Sequence, residues 1–396
     1  MSANSDHGPV ESWIFAQGLE GASLVDLLDG FATQLSGLGV PLSRAYMALP
    51  ALNPEIRAFN LTWRREVGVV REDVAHERWP TAFEQSPIAF MMSNDIPRQR
   101  WRLADEAERG SFSLLGELHE QGDTDYAAHI VRFGGGATTM LQGVALSVCT
   151  DAPEGFRDED LSLLTSLVPA LALAAYRIAL SDTMVTVLGA YVGHDAGLRI
   201  LSGEIRRGQG HRLGAAILFA DLRGFTAAAD TESETLIGRL GEHLAAIAEP
   251  IEEQGGEVLK FMGDGVLAGF AIPDGLVPGT ACASALAAAE AALARTRFVN
   301  ARYPDTPPLD LDVALHRGEV FYGNVGGGHR LDFTVIGPAV NEASRIEALC
   351  GRLDRSLLMS APFASCCGRP VRSLGAHALR GVSEPREIFS LADDES

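Results

Sequence analysis

Two aspartates, Asp221 and Asp264, are the residues whose type and spacing most directly offer chemistry. Asp221 ends the apolar run Ala216-Ile217-Leu218-Phe219-Ala220, after which the chain turns through Leu222-Arg223-Gly224. Asp264 lies in Gly263-Asp264-Gly265, between the two strand-like halves of Glu257–Phe270, a short-range hairpin signal. Two carboxylates at neighbouring strand tips repel one another unless a cation sits between them. Divalent cations held by carboxylate oxygen are the usual answer, commonly Mg²⁺ shared with a substrate phosphate. A lone aspartate after a strand is more often a turn former or helix cap. Here the pair shares its pattern with polar residues that no turn requires. Lys260 precedes Asp264 by four residues, and Asn341 and Arg345 are four apart, on one face of a helix opening after Gly337-Pro338. The plainer reading of Lys260 is a solvated strand face, and that of Arg345 is surface pairing with Glu342 or Glu347.

These residues need elements to hold them. The strand ending at Asp221 is followed by a crossing helix, with Thr231-x-x-Glu234 as a capping box and Leu236, Leu240, Leu244, Ile247 and Ile251 at helical spacing. The Asp264 hairpin comes next, then an alanine-rich helix from about Thr280 to Arg302. Alternation at Leu309, Leu311, Val313 and Leu315, a turn at Arg317-Gly318 and a return through Val320 to Val325 predict a second hairpin. Helix plus two strands thus occurs twice, which predicts an α+β fold with helices on one face of a mostly antiparallel sheet.

The N-terminal half reads as a loose tail through Gly18, then a helix with Leu24, Leu27, Leu28, Phe31 and Leu35 on one face. Strand-like runs follow at Arg44–Leu49, Ala58–Trp63, Ile88–Met92, Tyr126–Phe133 and Met140–Cys149. A helix capped by Asp158-Glu159-Asp160 closes the region. Trp63, Trp79 and Trp101 read as core or rim packing. Leu161 to Leu201 is helical in pattern, interrupted near Ser181 and near Gly193, and the charged, glycine-rich stretch Gly203–Gly210 marks a boundary.

Length favours two domains. Acidic residues outnumber basic ones 52 to 32, for a net charge of −20, which argues against a nucleic-acid partner. An anionic substrate must therefore be held by local cations and metal. None of the five cysteines forms a Cys-x-x-Cys pair, so reduced thiols in a cytoplasmic setting are expected. The polar, acidic start shows no signal peptide. Leu161–Tyr176 is uncharged but short of about 20 residues and contains Pro169, so no membrane span is expected and the segment reads as a buried or dimer-packing helix.

Phe219-Ala220-Asp221-Leu222-Arg223-Gly224-Phe225-Thr226, then Lys260 to Asp264, then Thr334-Val335-Ile336-Gly337-Pro338-Ala339-Val340-Asn341-Glu342-Ala343-Ser344-Arg345 together resemble the catalytic domain of class III nucleotidyl cyclases, with its ferredoxin-like α+β fold. The resemblance covers about Ala215 to Leu391. It implies conversion of a nucleoside triphosphate to a 3′,5′-cyclic monophosphate and pyrophosphate with two divalent cations, Mg²⁺ or Mn²⁺, per site. Asp221, Asp264 and the backbone of Leu222 are the implied metal ligands. Phe225 and Thr226 belong to the implied phosphate-cradling turn, Lys260 and Thr334 to base recognition, and Asn341 and Arg345 to catalysis at the ribose and α-phosphate. Arg380 is placed by a weaker match at the outer phosphates. Lysine with threonine implies ATP and an adenylate cyclase of the subgroup that includes bicarbonate-responsive enzymes; glutamate and cysteine at these positions would mark a guanylate cyclase. Pro338 departs from the aspartate common after this glycine. A single copy of each element implies a homodimer with two shared sites. The alternatives are a guanylate cyclase or a decayed nucleotide-binding regulatory module. The N-terminal half resembles a GAF domain in its order of elements, which implies a sensor of unknown input. The implied organisation is a tail at 1–20, a sensor at 21–160, a signalling helix and linker at 161–210 and the catalytic domain at 211–396.

Overall fold

The computed structural model describes residues 8–51, 53–54, 56–76, 81–134, 143–225, 234–273, 275, 277–328 and 330–392, and the chain divides into two compact units, 1–187 and 188–396. Trp79, Thr226 and the capping-box residue Thr231 lie outside the described residues.

In the first unit, α1 (Gly8–Glu20) and α2 (Leu24–Gly37) precede strands β1 (Arg44–Pro50), β2 (Ile56–Arg64), β3 (Gly68–Ala75), β4 (Arg98–Arg102), β5 (Asp125–Arg132) and β6 (Gly143–Thr150). The strands form one antiparallel sheet in the order β3-β2-β1-β6-β5-β4. Alternation sorts its two faces. Ala45, Met47 and Leu49 of β1, with Leu146 and Val148 of β6, pack against α1, α2 and the helix α3 (Asp158–Val192). The other face carries Tyr126 and Cys149 into a smaller core with Trp101, Leu115 and Leu118. Trp63 and Trp101 are both buried, as their reading as packing residues requires.

Three expectations here are corrected. Residues 8–20 of the expected tail form a helix, because Val10, Ile14 and Gly18 recur every four residues and bury against the α2 and α3 core. Ile88–Met92 is helical, within Pro87–Ser93, because Ser86 caps it by accepting from the Ala89 amide and Pro87 suits a first turn. Helix α3 runs unbroken through Pro169 and Ser181, so it is long and apolar enough to cross a membrane, which the shorter segment was not. Just over half of its most apolar window is buried inside the protein. The break expected near Gly193 is present: Gly193, at φ 93°, precedes α4 (His194–Leu201).

The second unit is built on an eight-stranded sheet. Its strands are β7 (Gly210–Arg223), β8 (Glu257–Met262), β9 (Gly265–Ile272), β10 (Asp310–Gly327), β11 (Arg330–Ile336), β12 (Leu357–Ser360), β13 (Val371–His377) and β14 (Arg386–Leu391). The order is β13-β14-β12-β10-β7-β9-β8, with β11 on β10. All pairings are antiparallel except β10 with β12. Helices α5 (Glu234–Glu253) and α6 (Gly279–Ala301) cover one face, over Ala216, Leu218, Ala220 and Ala268. Alternate residues Ala215, Ile217 and Leu267 point the other way, beneath α4 and α7 (Pro338–Glu347). Helices therefore lie on both faces, where one had been expected.

The expected hairpin at Arg317-Gly318 is also absent. β10 continues straight through it, because β7 offers a partner for its whole length, from Asp310↔Arg223 to Gly323↔Gly210. Gly318 serves close packing instead: a Cβ there would lie 2.7 Å from the Ala339 Cβ, so α7 sits directly on the strand. Cys282 and Cys366, expected as reduced thiols, are joined as a disulfide with Cα atoms 6.1 Å apart. Spacing along the chain concealed the pair, since folding is what brings the start of α6 beside the segment after β12.

Candidate active site

Asp221 is delivered by register. Alternation from Ala215 through Ile217 and Phe219 puts it on the α7 face of the sheet, directly opposite Asp312 on β10. Asp264 is delivered by the hairpin between β8 and β9, where Gly263 takes φ 71° to close the turn. The hairpin tip presses on Asp221: a Cβ at Gly265 would stand 3.0 Å from Asp221 Oδ1. The two aspartates are thus neighbours, as their sequence context predicts.

The electrostatics show what this proximity costs. Burial, then the charge of Asp264, then that of Asp312, pushes the Asp221 carboxyl up to about 6 from an ordinary 3.8. Glu347, at the last turn of α7, is pushed up to about 7 by burial and by Asp221, Asp312 and Asp264, with Arg223 pulling the other way. Burial also raises Asp312, against the opposing pull of Arg223, whose Nε donates to Asp312 Oδ2 at 3.0 Å. Four carboxylates therefore gather around one guanidinium that is already engaged. Among the described residues no three His, Cys, Asp or Glu side chains form a ready-made metal cage. The donor set fits a hard divalent cation that keeps positions for water and phosphate oxygen, and such an ion would relieve the repulsion that raises Asp221.

The other expected residues are placed as follows. Leu222 has its side chain in the core, so its side chain takes no part at an ion. Phe225 follows Gly224, at φ 91°, and packs on the core. Lys260 pairs in register with Leu267, which puts it on the same sheet face as Asp221. Its Nζ donates to the Asp332 carboxylate. Thr334, on β11 opposite Gly323, is 7% exposed. Asn341 is exposed on α7 and Arg345 is half-buried on the same helix. The plain alternative for Arg345 is not realised: Glu342 pairs with Arg386 at 3.5 Å, and among the described residues Arg345 makes no ion pair. Its Nη2 would lie 3.5 Å from a Cβ at Gly381, so the turn carrying the exposed Arg380 is close by. Among the described residues, no hydrogen bond or ion pair joins Asp221 or Asp264 to Lys260, Asn341 or Arg345.

Sequence reasoning missed Arg223, Asp312, Glu347 and Asp332 as members of this neighbourhood. Asp312 and Arg223 had a signal, since each is a charged residue at the strand position that shares a face with Asp221. Asp332 lies two residues before Thr334 and so on its side of β11. Nothing local marks Glu347, which the helix axis carries to the acidic cluster.

Residues 212–359 match the family model described as the adenylate and guanylate cyclase catalytic domain. The chain is 37% identical over 150 residues to an adenylate cyclase of Anabaena cylindrica, covering 36% of this chain and 29% of that protein. It is 27% identical over 235 residues to adenylate cyclase 2 of Rhizobium meliloti strain 1021, covering 57% and 63%. Among solved structures it is similar to the adenylyl cyclase CyaB from P. aeruginosa, at 27% identity and a TM-score of 0.43, covering 47% of this chain and 96% of that one. The chain thus spans less than two thirds of the length of these curated relatives. Residues 212–359 are a class III nucleotidyl cyclase catalytic domain, a match that leaves out the N-terminal unit.

Proposed function

We propose that the chain is an adenylate cyclase that works as a homodimer, converting ATP to 3′,5′-cyclic AMP and pyrophosphate. The observation that carries this reading is the contact of the Asp264 turn with Asp221 on the face that also bears Lys260 and α7. Asp221 and Asp264, with the Leu222 carbonyl, would hold Mg²⁺ or Mn²⁺, two per site. When bound, such cations lower the pKa of the ribose 3′-hydroxyl and neutralise the triphosphate. The remaining work falls to side chains. Lys260 and Thr334 offer a charged donor and a hydroxyl to the base. Asn341 orients the ribose. Arg345, with no carboxylate to neutralise it among the described residues, meets charge gathering on the α-phosphate, an effect on the order of several kcal/mol. Phe225 and Arg380 are assigned to the phosphates, as is Thr226, which lies outside the described residues.

The preference for ATP rests on Lys260 and Thr334, and the relatives named as adenylate cyclases agree with it. Pairing of two chains rests on the single copy of each motif in the sequence, and among the described residues no hydrogen bond or ion pair joins Asp221 or Asp264 to Lys260, Asn341 or Arg345. Closed two-fold pairs are also the commonest oligomer. The N-terminal unit is proposed to be a GAF-like sensor for an unidentified input, with residues 161–210 as the signalling helix and linker, and the protein to be cytoplasmic. Support for the sensor is its six-stranded antiparallel sheet with α1, α2 and α3 on one face. The test is incubation of the purified protein with ATP or GTP and Mg²⁺ or Mn²⁺, followed by identification of the product. Cyclic AMP with pyrophosphate is expected. Cyclic GMP would reassign the substrate, and nucleotide binding without turnover would favour a regulatory module.

A further inference from the structure

Cys282 and Cys366 are 84 residues apart in sequence, yet their Cα atoms are 6.1 Å apart, within the range that a disulfide spans, and their sulfurs are joined. The two ends differ in exposure. Cys282 is fully buried in the first turn of α6, whereas Cys366 is half-buried just past the short helix Ala361–Ala364. The adjacent Cys367 does not compete, because it is turned into the core with its Sγ toward the carbonyls of Ala364 and Arg369. Cys149 and Cys350 are buried and unpaired. One thiol that solvent can reach therefore stands against one that it cannot.

We propose that Cys282 and Cys366 are a reversible oxidative modification site, closed by hydroperoxides and opened by dithiols. Cys366, as the thiolate, attacks the distal peroxide oxygen, breaking the O–O bond to give a sulfenic acid and releasing the alcohol or water. The Cys282 sulfur then attacks the Cys366 sulfur and expels water. Two electrons leave the sulfurs, two reduce the peroxide, and both thiol protons end in the released products. The closed bond encloses β10, β11 and α7, and with them Thr334, Asn341 and Arg345, so oxidation restrains the segment that carries half of the proposed site. A reversible pair of this kind is compatible with a reducing compartment, where a permanent disulfide would be unusual.

The test uses the full chain, reduced with dithiothreitol, exchanged, and either left reduced or treated with hydrogen peroxide. Free thiols are then alkylated and peptides mapped without reduction. A Cys282–Cys366 cross-linked peptide is expected after peroxide and absent after renewed dithiothreitol. The oxidised form should melt about 5 °C or more above the reduced form, a difference that Cys366→Ser removes. The proposal is overturned if both thiols remain alkylatable after peroxide, if Cys366 is recovered as a sulfinic acid or paired with Cys367, or if the bond survives dithiothreitol in the folded protein. The wild-type peptide map decides the matter even if the serine variant does not fold.

Discussion

Asp221 and Asp312 stand opposite each other on β7 and β10, and Arg223 binds Asp312 while Asp221 has no cationic partner among the described residues. Next to Asp221 the fold places the Asp264 turn instead of a cation. The pair is therefore built with negative charge left over, the condition under which a divalent ion contributes to folding as well as to chemistry.

Removing that charge should stabilise the metal-free protein. Asp221→Asn and Asp264→Asn are each expected to raise the melting temperature in a chelator by a few degrees while abolishing the further rise on adding Mg²⁺ or Mn²⁺. Cyclase turnover should fall about 10³-fold or more in both. Variants that melt lower than wild type in chelator would show that the carboxylates are not in conflict.

The pH dependence follows in sign from the same cluster. Asp221 is raised from 3.8 to about 6 and Glu347 from 4.5 to about 7, so the folded state binds more protons than the unfolded state across that window. Stability in chelator should therefore fall as pH rises from about 4 to about 7, then level off. Metal affinity should rise over the same range as the carboxyls ionise. Urea midpoints against pH check this, and Glu347→Gln should make the decline shallower. A flat wild-type profile would contradict it.

Lys260 and Asp332 are 43% and 48% exposed, so their ion pair is worth no more than about 1 kcal/mol to stability. Asp332→Asn should leave the melting temperature nearly unchanged, whereas Lys260→Met should raise the KM for ATP about tenfold or more through loss of a charged donor. Equal effects on ATP and GTP would remove Lys260 from base selection.

Gly318→Val drives a side chain into Ala339 and His316, at 2.7 and 3.0 Å from its Cβ. A loss of about 1–3 kcal/mol is expected in chemical denaturation. Because the clash displaces α7, kcat should fall even where the protein remains folded.

Much of this site was readable before folding because its residues sit at punctuated positions: strand ends, a Gly-Asp-Gly turn and a helix start. The Asp221–Asp264 neighbourhood followed from those signals. What escaped was set by partners distant in sequence. Gly318 read as a turn because β7, about a hundred residues earlier, is invisible from local alternation. Ile88–Met92 read as a strand from its apolar run, where a serine cap and a proline decided for helix. The Cys282–Cys366 contact and the arrival of Glu347 at the aspartates depend wholly on tertiary packing.

The central claim is that carboxylates from one chain and Arg345 from another complete a single site. Mixing Asp221→Ala chains with Arg345→Ala chains tests it most directly, with cyclic AMP formation as the readout. Each variant alone should be inactive, and mixing should restore about a quarter of wild-type activity, since random pairing makes half the dimers mixed and each of these holds one intact site of two. Folded variants that pair but recover no activity on mixing would contradict the shared site.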